Sequence, residues 1–247
     1  MRVQGTPCER YQRGACAMSK RCIVNVATGR FVKGQQRLIM NRHTLQCPVL
    51  CWTDVMPPKS PSHLDVPFAF KAWAIAAAIE RGCTSILWAD ACILPISPLE
   101  PLWERIEQDG YWISRNGWTN AEWTAENVRW KLGVTQEENE QIPHVVATSF
   151  GLCVDKPVGK NIFEEYLSLA QNGSFCGPWW NSNHPEYSTR AGAHPCGGSK
   201  VRGHRHDQTA LSVIAHKQGC KLTDPPHIFA YAGGQVEGTI LLADGAY

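Results

Sequence analysis

A helix pattern and a strand pattern follow one another in residues 68–92, FAFKAWAIAAAIERGCTSILWADAC. Residues 68–81 are alanine-rich and apolar on nearly all sides, and Gly82 is typical of the glycine that ends a helix. The apolar run 85–89 predicts a central strand that is covered on both faces. Because a helix without a polar face is normally buried, we expect this helix to pack against the sheet.

Strand and helix patterns alternate on both sides of this unit. Further strands are predicted at 22–27, 48–53, 111–114 and 144–154, and further helices at 35–45, 98–109, 120–132, 158–172 and 208–218. Asn120 and Asp207 are predicted to cap their helices, and a polar turn is predicted around Glu137 and Glu138. This alternation predicts an α/β fold with a layered, mostly parallel sheet flanked by helices. We expect an irregular arm over residues 1–20 and a single domain over 21–247.

The composition excludes several classes of protein. The formal net charge is only +2, which argues against a chain whose main work is to neutralise a long polyanion. The first residues lack an apolar core of signal-peptide length, and no apolar run is long enough to span a bilayer, so we expect a cytoplasmic protein without membrane insertion. The 11 cysteines include no C-x-x-C pair and are expected to be reduced thiols. Neither a dinucleotide-binding glycine motif nor a P-loop is present.

Asp90 is the sharpest candidate for a site residue. It directly follows the apolar strand, at the edge of the sheet where α/β proteins bind ligands. A carboxylate there could hold a hard cation that bridges the phosphates of a nucleotide diphosphate. An aspartate that forms a turn or caps a helix is an equally good interpretation of this residue alone.

The same region resembles the middle of GT-A-fold (Rossmann-like) glycosyltransferases. The resemblance rests on residues 67–73, PFAFKAW, and 86–92, ILWADAC, and covers roughly residues 22–230 in the order of elements. In that family a lysine-containing helix precedes a strand that ends in an Asp-x-Asp metal motif. This chain departs from the pattern because Cys92 stands at the second acidic position.

The resemblance implies roles for particular residues. It implies a metal ion, Mn²⁺ or Mg²⁺, held by Asp90 and by His227 near a late strand. The residues implied to bind the nucleotide-sugar donor are Ala27, Thr28, Gly29, Lys71, Trp88 and Asp90. An Asp-Gln pair opens a late helix behind the acceptor pocket in several of these families, and Asp207 and Gln208 match it. Asp207 would then act as a base or bind acceptor hydroxyls, unless it only caps the helix.

The aperiodic segment 173–207 is the predicted acceptor-binding region. Trp179 and Trp180 offer flat faces for stacking, and Arg205 adds positive charge. Several residues of this segment could instead bind zinc, although their spacing matches no zinc motif: His184, His194, Cys196, His204 and His206. Thr148 and Ser149 could bond to sugar hydroxyls or could belong to the core.

These observations predict a glycosyltransferase that moves a hexose or pentose from a nucleotide-diphosphate sugar to an acceptor hydroxyl. Residues 21–115 would bind the nucleotide and residues 116–247 the acceptor, which is a glycan or a hydroxylated base in DNA. The alternative from another class is a non-catalytic, zinc-containing protein that binds nucleic acid.

Overall fold

The computed structural model describes residues 20–41, 45–178 and 200–245. In this part of the chain the strands are β1 (Arg21–Ala27), β2 (Val49–Thr53), β3 (Ser85–Ala89), β4 (Ile93–Pro95), β5 (Tyr111–Trp112), β6 (Arg115–Thr119), β7 (Pro143–Val145), β8 (Ser149–Cys153), β9 (Phe229–Tyr231) and β10 (Leu241–Ala243). The α-helices are α1 (Val32–Met40), α2 (Phe70–Glu80), α3 (Glu100–Asp109), α4 (Glu126–Lys131), α5 (Gln136–Gln141), α6 (Pro157–Gln171) and α7 (His206–Lys217). Single 3₁₀ turns span Gly29–Phe31 and Asn120–Trp123.

The main sheet has the strand order β2-β1-β3-β8-β5. Strand β1 pairs in parallel with both β2 and β3, while β8 runs antiparallel to β3 and to β5. All strands of this sheet except β8 therefore point the same way. The predicted α/β class with a mostly parallel sheet flanked by helices is confirmed.

Helices cover both faces of the main sheet. Val24 and Trp88 face one side, where they share a core cluster with residues of α2, α6 and α7. Ile23 and Leu87 face the other side and pack with residues of α1 and α3. This alternation follows from the two-residue period of a strand, and it buries all five side chains of β3, as the apolar run predicts.

The chain between α3 and α6 differs most from the sequence prediction. The single strand predicted over 144–154 is two strands, β7 and β8, separated by residues 146–148. Strand β7 pairs with β6, which was not predicted, and β8 pairs in the main sheet. The backbone must change direction between them because the two pairings belong to different sheets.

The other corrections concern helix ends. The helix predicted over 120–132 is a 3₁₀ turn followed by α4, and Thr119 rather than Asn120 forms the capping box, with Glu122. The polar turn around Glu138 is the helix α5, capped by Thr135. Helix α1 ends earlier than the predicted 45, and α7 begins at His206, so Asp207 lies inside its first turn and does not cap it.

Gly159 allows α6 to lie against the end of β8. A methyl group at this position would come within 2.3 Å of two backbone oxygens, those of Cys153 and Gly110. Backbone atoms cannot move aside as a flexible side chain does. Glycine is therefore required here by close packing, although it is a poor helix former.

We expect Gly159→Ala to lower the free energy of unfolding by about 1–3 kcal/mol, because the added methyl group overpacks the interface. Helix propensity alone predicts the opposite sign, a gain of up to about 1 kcal/mol. The neighbouring Asn161→Ala, at an exposed position of the same helix, is the control and should change stability little. Urea denaturation measures both variants, and a stabilised Gly159→Ala protein would contradict the packing geometry.

Candidate active site

Asp90 lies directly after β3, where the carboxyl ends of the parallel strands meet. Its backbone N–H donates to the carbonyl of Thr148 over 2.8 Å, and the indole Nε1–H of Trp88 donates to Oδ1 of Asp90, also over 2.8 Å. The side chain is 26% exposed. No described residue bonds to its Oδ2, so one carboxylate oxygen is open to a ligand.

Lys71 of α2 is a buried cation that contacts two carboxylates. Its side chain is 3% exposed, and Nζ lies 2.9 Å from Oδ2 of Asp207 and 3.4 Å from Oδ1 of Asp90. Nζ also donates to the carbonyl of Ala147 over 2.8 Å. The ammonium therefore has a partner for each of its three N–H groups, which is the condition for burying such a charge.

Asp207 completes this cluster from the first turn of α7. Its side chain is 5% exposed, and Oδ2 also accepts a hydrogen bond from the hydroxyl of Tyr166 over 3.2 Å. The N-terminal end of a helix favours a negative charge at this position. Asp90 and Asp207, which the sequence singled out separately, are thus joined through Lys71.

Burial and charge act in opposite directions on the pKa values of this cluster. Burial raises the pKa of Asp90 and of Asp207 above the ordinary range, although the Lys71 ammonium lowers it in part. Burial alone would lower the pKa of Lys71, but Asp207 and Asp90 raise it above its ordinary value. Burial, followed by the charge of Asp207, raises the pKa of Tyr166, which keeps its hydroxyl a donor.

A cavity of about 200 Å³ opens beside Asp90, at the carboxyl ends of β1 and β3. Of the predicted donor-binding residues, Ala27, Thr28 and Asp90 line it, while Gly29, Lys71 and Trp88 do not. Its other walls are largely aromatic and include Phe31, Phe68 and Phe70. The size and the flat apolar walls suit a nucleobase rather than a whole nucleotide sugar.

Buried amides hold the strand ends around this cavity in place. Asn25 donates to the carbonyl of Ala89 over 2.6 Å, and Gln35 donates to Oδ1 of Asn25 over 2.7 Å and to the carbonyl of Trp52 over 3.0 Å. The network ties together the ends of β1, β2 and β3. The sequence reading missed it, although polar residues inside an apolar strand such as CIVNVA are a signal for it.

A second cavity, of about 340 Å³, lies next to residues 146–148. The predicted acceptor-binding residues Arg205 and Gln208 line it, and the Gln208 amide also donates to the carbonyl of Val145. Trp179 and Trp180 lie outside the described residues. The sequence reading missed the cavity's aromatic walls, which are Trp118, Trp123 and Tyr231.

Residues that contact the Lys71 cluster line the second cavity, and Asp90 of the cluster lines the first. Asp90 lines the first cavity, and Ala147 and Thr148 line the second. The carbonyl of Ala147 binds Lys71, and the carbonyl of Thr148 binds the backbone of Asp90. A ligand in the first cavity therefore contacts Asp90 itself, whereas a ligand in the second contacts the residues that hold Lys71 and Asp90.

No protein-family model and no curated protein matches this sequence. The chain is similar in structure to glycosyltransferases. Mouse xyloside xylosyltransferase 1 shares 11% identity over 92% of this chain and 98% of that one, with a TM-score of 0.47. A glycosyltransferase involved in glycosylation of the major capsid of PBCV-1 shares 13% identity over 92% of this chain and 95% of that one, also with a TM-score of 0.47. The WbbM bifunctional glycosyltransferase shares 10% identity over 91% of this chain and 45% of that one, with a TM-score of 0.45. Such values describe a similar chain path and indicate no residue's role.

The described residues do not form a metal cage. They contain no group of three or more His, Cys, Asp or Glu side chains that could hold an ion. Burial, followed by the charge of Asp90, raises the pKa of Cys92 to about 12, so its thiol stays protonated and is a poor ligand. His227 is exposed and precedes β9. The prediction of Mn²⁺ or Mg²⁺ stays a prediction that these residues do not support.

The described histidines of the predicted zinc cluster are buried packing residues. His204 and His206 both bond to the carbonyl of Phe175 over 3.1 Å, and their ring centroids are 4.7 Å apart. Burial lowers the pKa of His204 to about 4 and that of His206 to about 3, so both rings are neutral. His184, His194 and Cys196 lie outside the described residues. In the described ranges, no helix is both long and apolar enough to cross a membrane.

We expect Lys71→Met to destabilise the protein by about 3–5 kcal/mol at pH 7, because it leaves the buried Asp207 and the partly exposed Asp90 without their cation. A carboxyl whose pKa is raised on folding stabilises the folded state as the pH falls through that pKa. Loss of the ammonium raises the pKa of both carboxyls further. The difference in the free energy of unfolding between wild type and Lys71→Met should therefore shrink as the pH falls from 7 to 5. Thermal unfolding across this range checks the expectation.

Lys160→Met is the matched control, since Lys160 is exposed and forms only a 3.8 Å surface pair with Glu164. Its stability should follow that of wild type at every pH. A loss of stability in Lys71→Met that does not depend on pH would contradict the pairing of Lys71 with the two carboxylates.

Proposed function

We propose that this chain is a glycosyltransferase that moves a sugar from a nucleotide-diphosphate sugar to an acceptor hydroxyl. The observation that carries the proposal is the open carboxylate of Asp90, which lines an aromatic slot beside a buried ammonium and whose backbone is bonded to Thr148 in the wall of a polar, tryptophan-walled cavity. Donor and acceptor need two such compartments that meet at one charged centre. The similarity to glycosyltransferase structures is a likeness of fold and adds nothing about the site.

In this proposal the nucleobase enters the cavity of about 200 Å³ near Ala27 and Thr28. The diphosphate then lies towards Asp90, near the Lys71 ammonium, whose charge is already balanced by Asp90 and Asp207. Residues 21–115 supply this donor half, and residues 116–247 supply the acceptor half with Arg205 and Gln208. A saccharide is the acceptor that the second cavity suits; nothing described favours a base in DNA.

The transfer breaks the bond between the anomeric carbon and the diphosphate oxygen and forms a bond from that carbon to the acceptor oxygen. We propose that Asp90 accepts the proton of the acceptor hydroxyl, because its raised pKa makes it a better base at neutral pH. Asp207 is too enclosed to reach a substrate and serves to hold Lys71, which changes the role that the sequence suggested for it. The zinc-binding alternative has no support among the described residues.

We expect the protein to hydrolyse at least one nucleotide-diphosphate sugar slowly, with water as the acceptor, and Asp90→Asn to lower that kcat about 100-fold or more. A panel of uridine, guanosine and thymidine diphosphate sugars, scored by release of the nucleoside diphosphate, measures this. Asp155→Asn, an exposed aspartate just after β8, is the control and should keep wild-type rates. The proposal fails if no donor is hydrolysed and no nucleoside diphosphate raises the melting temperature.

A further inference from the structure

The cavity of about 340 Å³ has exposed aromatic faces. Trp118 is 39% exposed and Tyr231 is 52% exposed, whereas Trp123 is buried beneath them. Trp118 and Trp123 meet edge to face, with ring centroids 6.2 Å apart. Faces fixed in this way can stack against a sugar ring at little cost in side-chain entropy.

Arg205 brings a positive charge into this cavity. Its guanidinium carbon lies 4.3 Å from the centroid of Trp123, and the residue is half-buried. None of the carboxylates of residues 20–41, 45–178 and 200–245 lies within ion-pair distance of it. By contrast, Arg21 and Arg37, whose side chains are also partly buried, each pair with a carboxylate at 2.6–2.8 Å.

In the described part of the chain, the charge of Arg205 is compensated only in part, by its interactions with Tyr231 and Asp207. Burial lowers the pKa of Arg205, which means that the surroundings disfavour its charged form. Contact with the face of Trp123 recovers only part of the hydration free energy that the guanidinium loses on burial. A planar guanidinium in a half-buried cavity is best satisfied by two oxygens of a carboxylate or phosphate group.

Thr148 supplies a further unsatisfied group on the same wall. Its Oγ1 is buried and has no hydrogen-bond partner among the described residues, and Thr148 lines the cavity. Buried hydroxyls normally have a partner, so the Thr148 hydroxyl is an unsatisfied group in the wall of this cavity. Thr148 also holds the backbone of Asp90, so this hydroxyl lies close to the proposed reacting centre.

We propose that this cavity binds an acceptor saccharide that carries a carboxylate or a phosphate, with the anionic group paired to Arg205. The ring stacks on Trp118 or Tyr231, and a hydroxyl bonds to Thr148. The inference rests on the proposed function and narrows its acceptor to a class, the negatively charged saccharides. A neutral saccharide would leave the Arg205 charge without an anionic partner among the described residues.

Binding to a glycan array tests this proposal, with neutral glycans, uronic-acid glycans and phosphorylated glycans as the probes. Titration of the methyl glycosides of glucuronic acid and glucose, and of glucose 6-phosphate, by tryptophan fluorescence gives the affinities. We expect the charged probes to bind at least about tenfold tighter than the neutral ones. Comparison of the carboxylate probe with the phosphate probe shows which anion the cavity prefers.

Arg205→Gln should remove that preference and Arg205→Lys should retain part of it, because lysine keeps the charge but loses the planar fork. Arg81→Gln is the matched control. Arg81 also packs on a tryptophan, at 5.7 Å from the Trp52 ring, but it is exposed and does not line this cavity. Its loss should leave the preference intact, and melting curves show that each variant is folded.

The proposal is overturned if no charged probe binds better than its neutral counterpart, or if Arg205→Gln and Arg81→Gln weaken binding equally. The second result would indicate a general effect of surface charge. Hydrolysis of nucleotide sugars by the wild-type protein separates this failure from failure of the proposed function. A protein that hydrolyses a donor without preferring charged saccharides refutes only the acceptor class.

Discussion

The ammonium of Lys71, enclosed by Asp207, Asp90 and the carbonyl of Ala147, is the interaction on which the rest of the site depends. Helix α2 is apolar on its other sides and carries this one charge into the core. Because a buried ammonium needs close partners, the elements that supply them must converge on it. These elements are the end of β3, the first turn of α7 and the bend between β7 and β8.

That convergence also creates the two cavities. The bend at residues 146–148 turns the Ala147 carbonyl towards Lys71, and the same bend forms a wall of the second cavity. On the other side, Asp90 accepts from Trp88 and Lys71 through one oxygen and leaves the other open beside the aromatic slot. The charged centre and the two compartments are thus consequences of one packing arrangement. Transfer between two bound molecules requires this kind of shared boundary.

Local sequence patterns predicted the helices and strands that are buried along their whole length. Strand pairing and the contacts within the site depend on residues that are distant in sequence, and they could not be predicted in this way. Strand β3 and helix α2 follow directly from an apolar run and an alanine-rich segment closed by glycine. The segment 144–154, HVVATSFGLCV, is mostly apolar, and its polar residues Thr148 and Ser149 do not by themselves indicate that it pairs in two different sheets. Asp90 could be singled out because it follows a strand. Its link to Asp207 could not, because Lys71 bridges residues that are distant in sequence and only tertiary packing brings them together.

A double-mutant cycle on Lys71 and Asp207 tests the central claim most directly. The free energies of unfolding of Lys71→Met, Asp207→Asn and the double variant are measured by urea denaturation at pH 7. We predict that the two losses are non-additive by about 1–3 kcal/mol, since each single variant leaves the other charge buried without its partner. A reference cycle of Lys71→Met with Asp155→Asn should be additive. Additivity within about 0.5 kcal/mol in the first cycle would contradict the account.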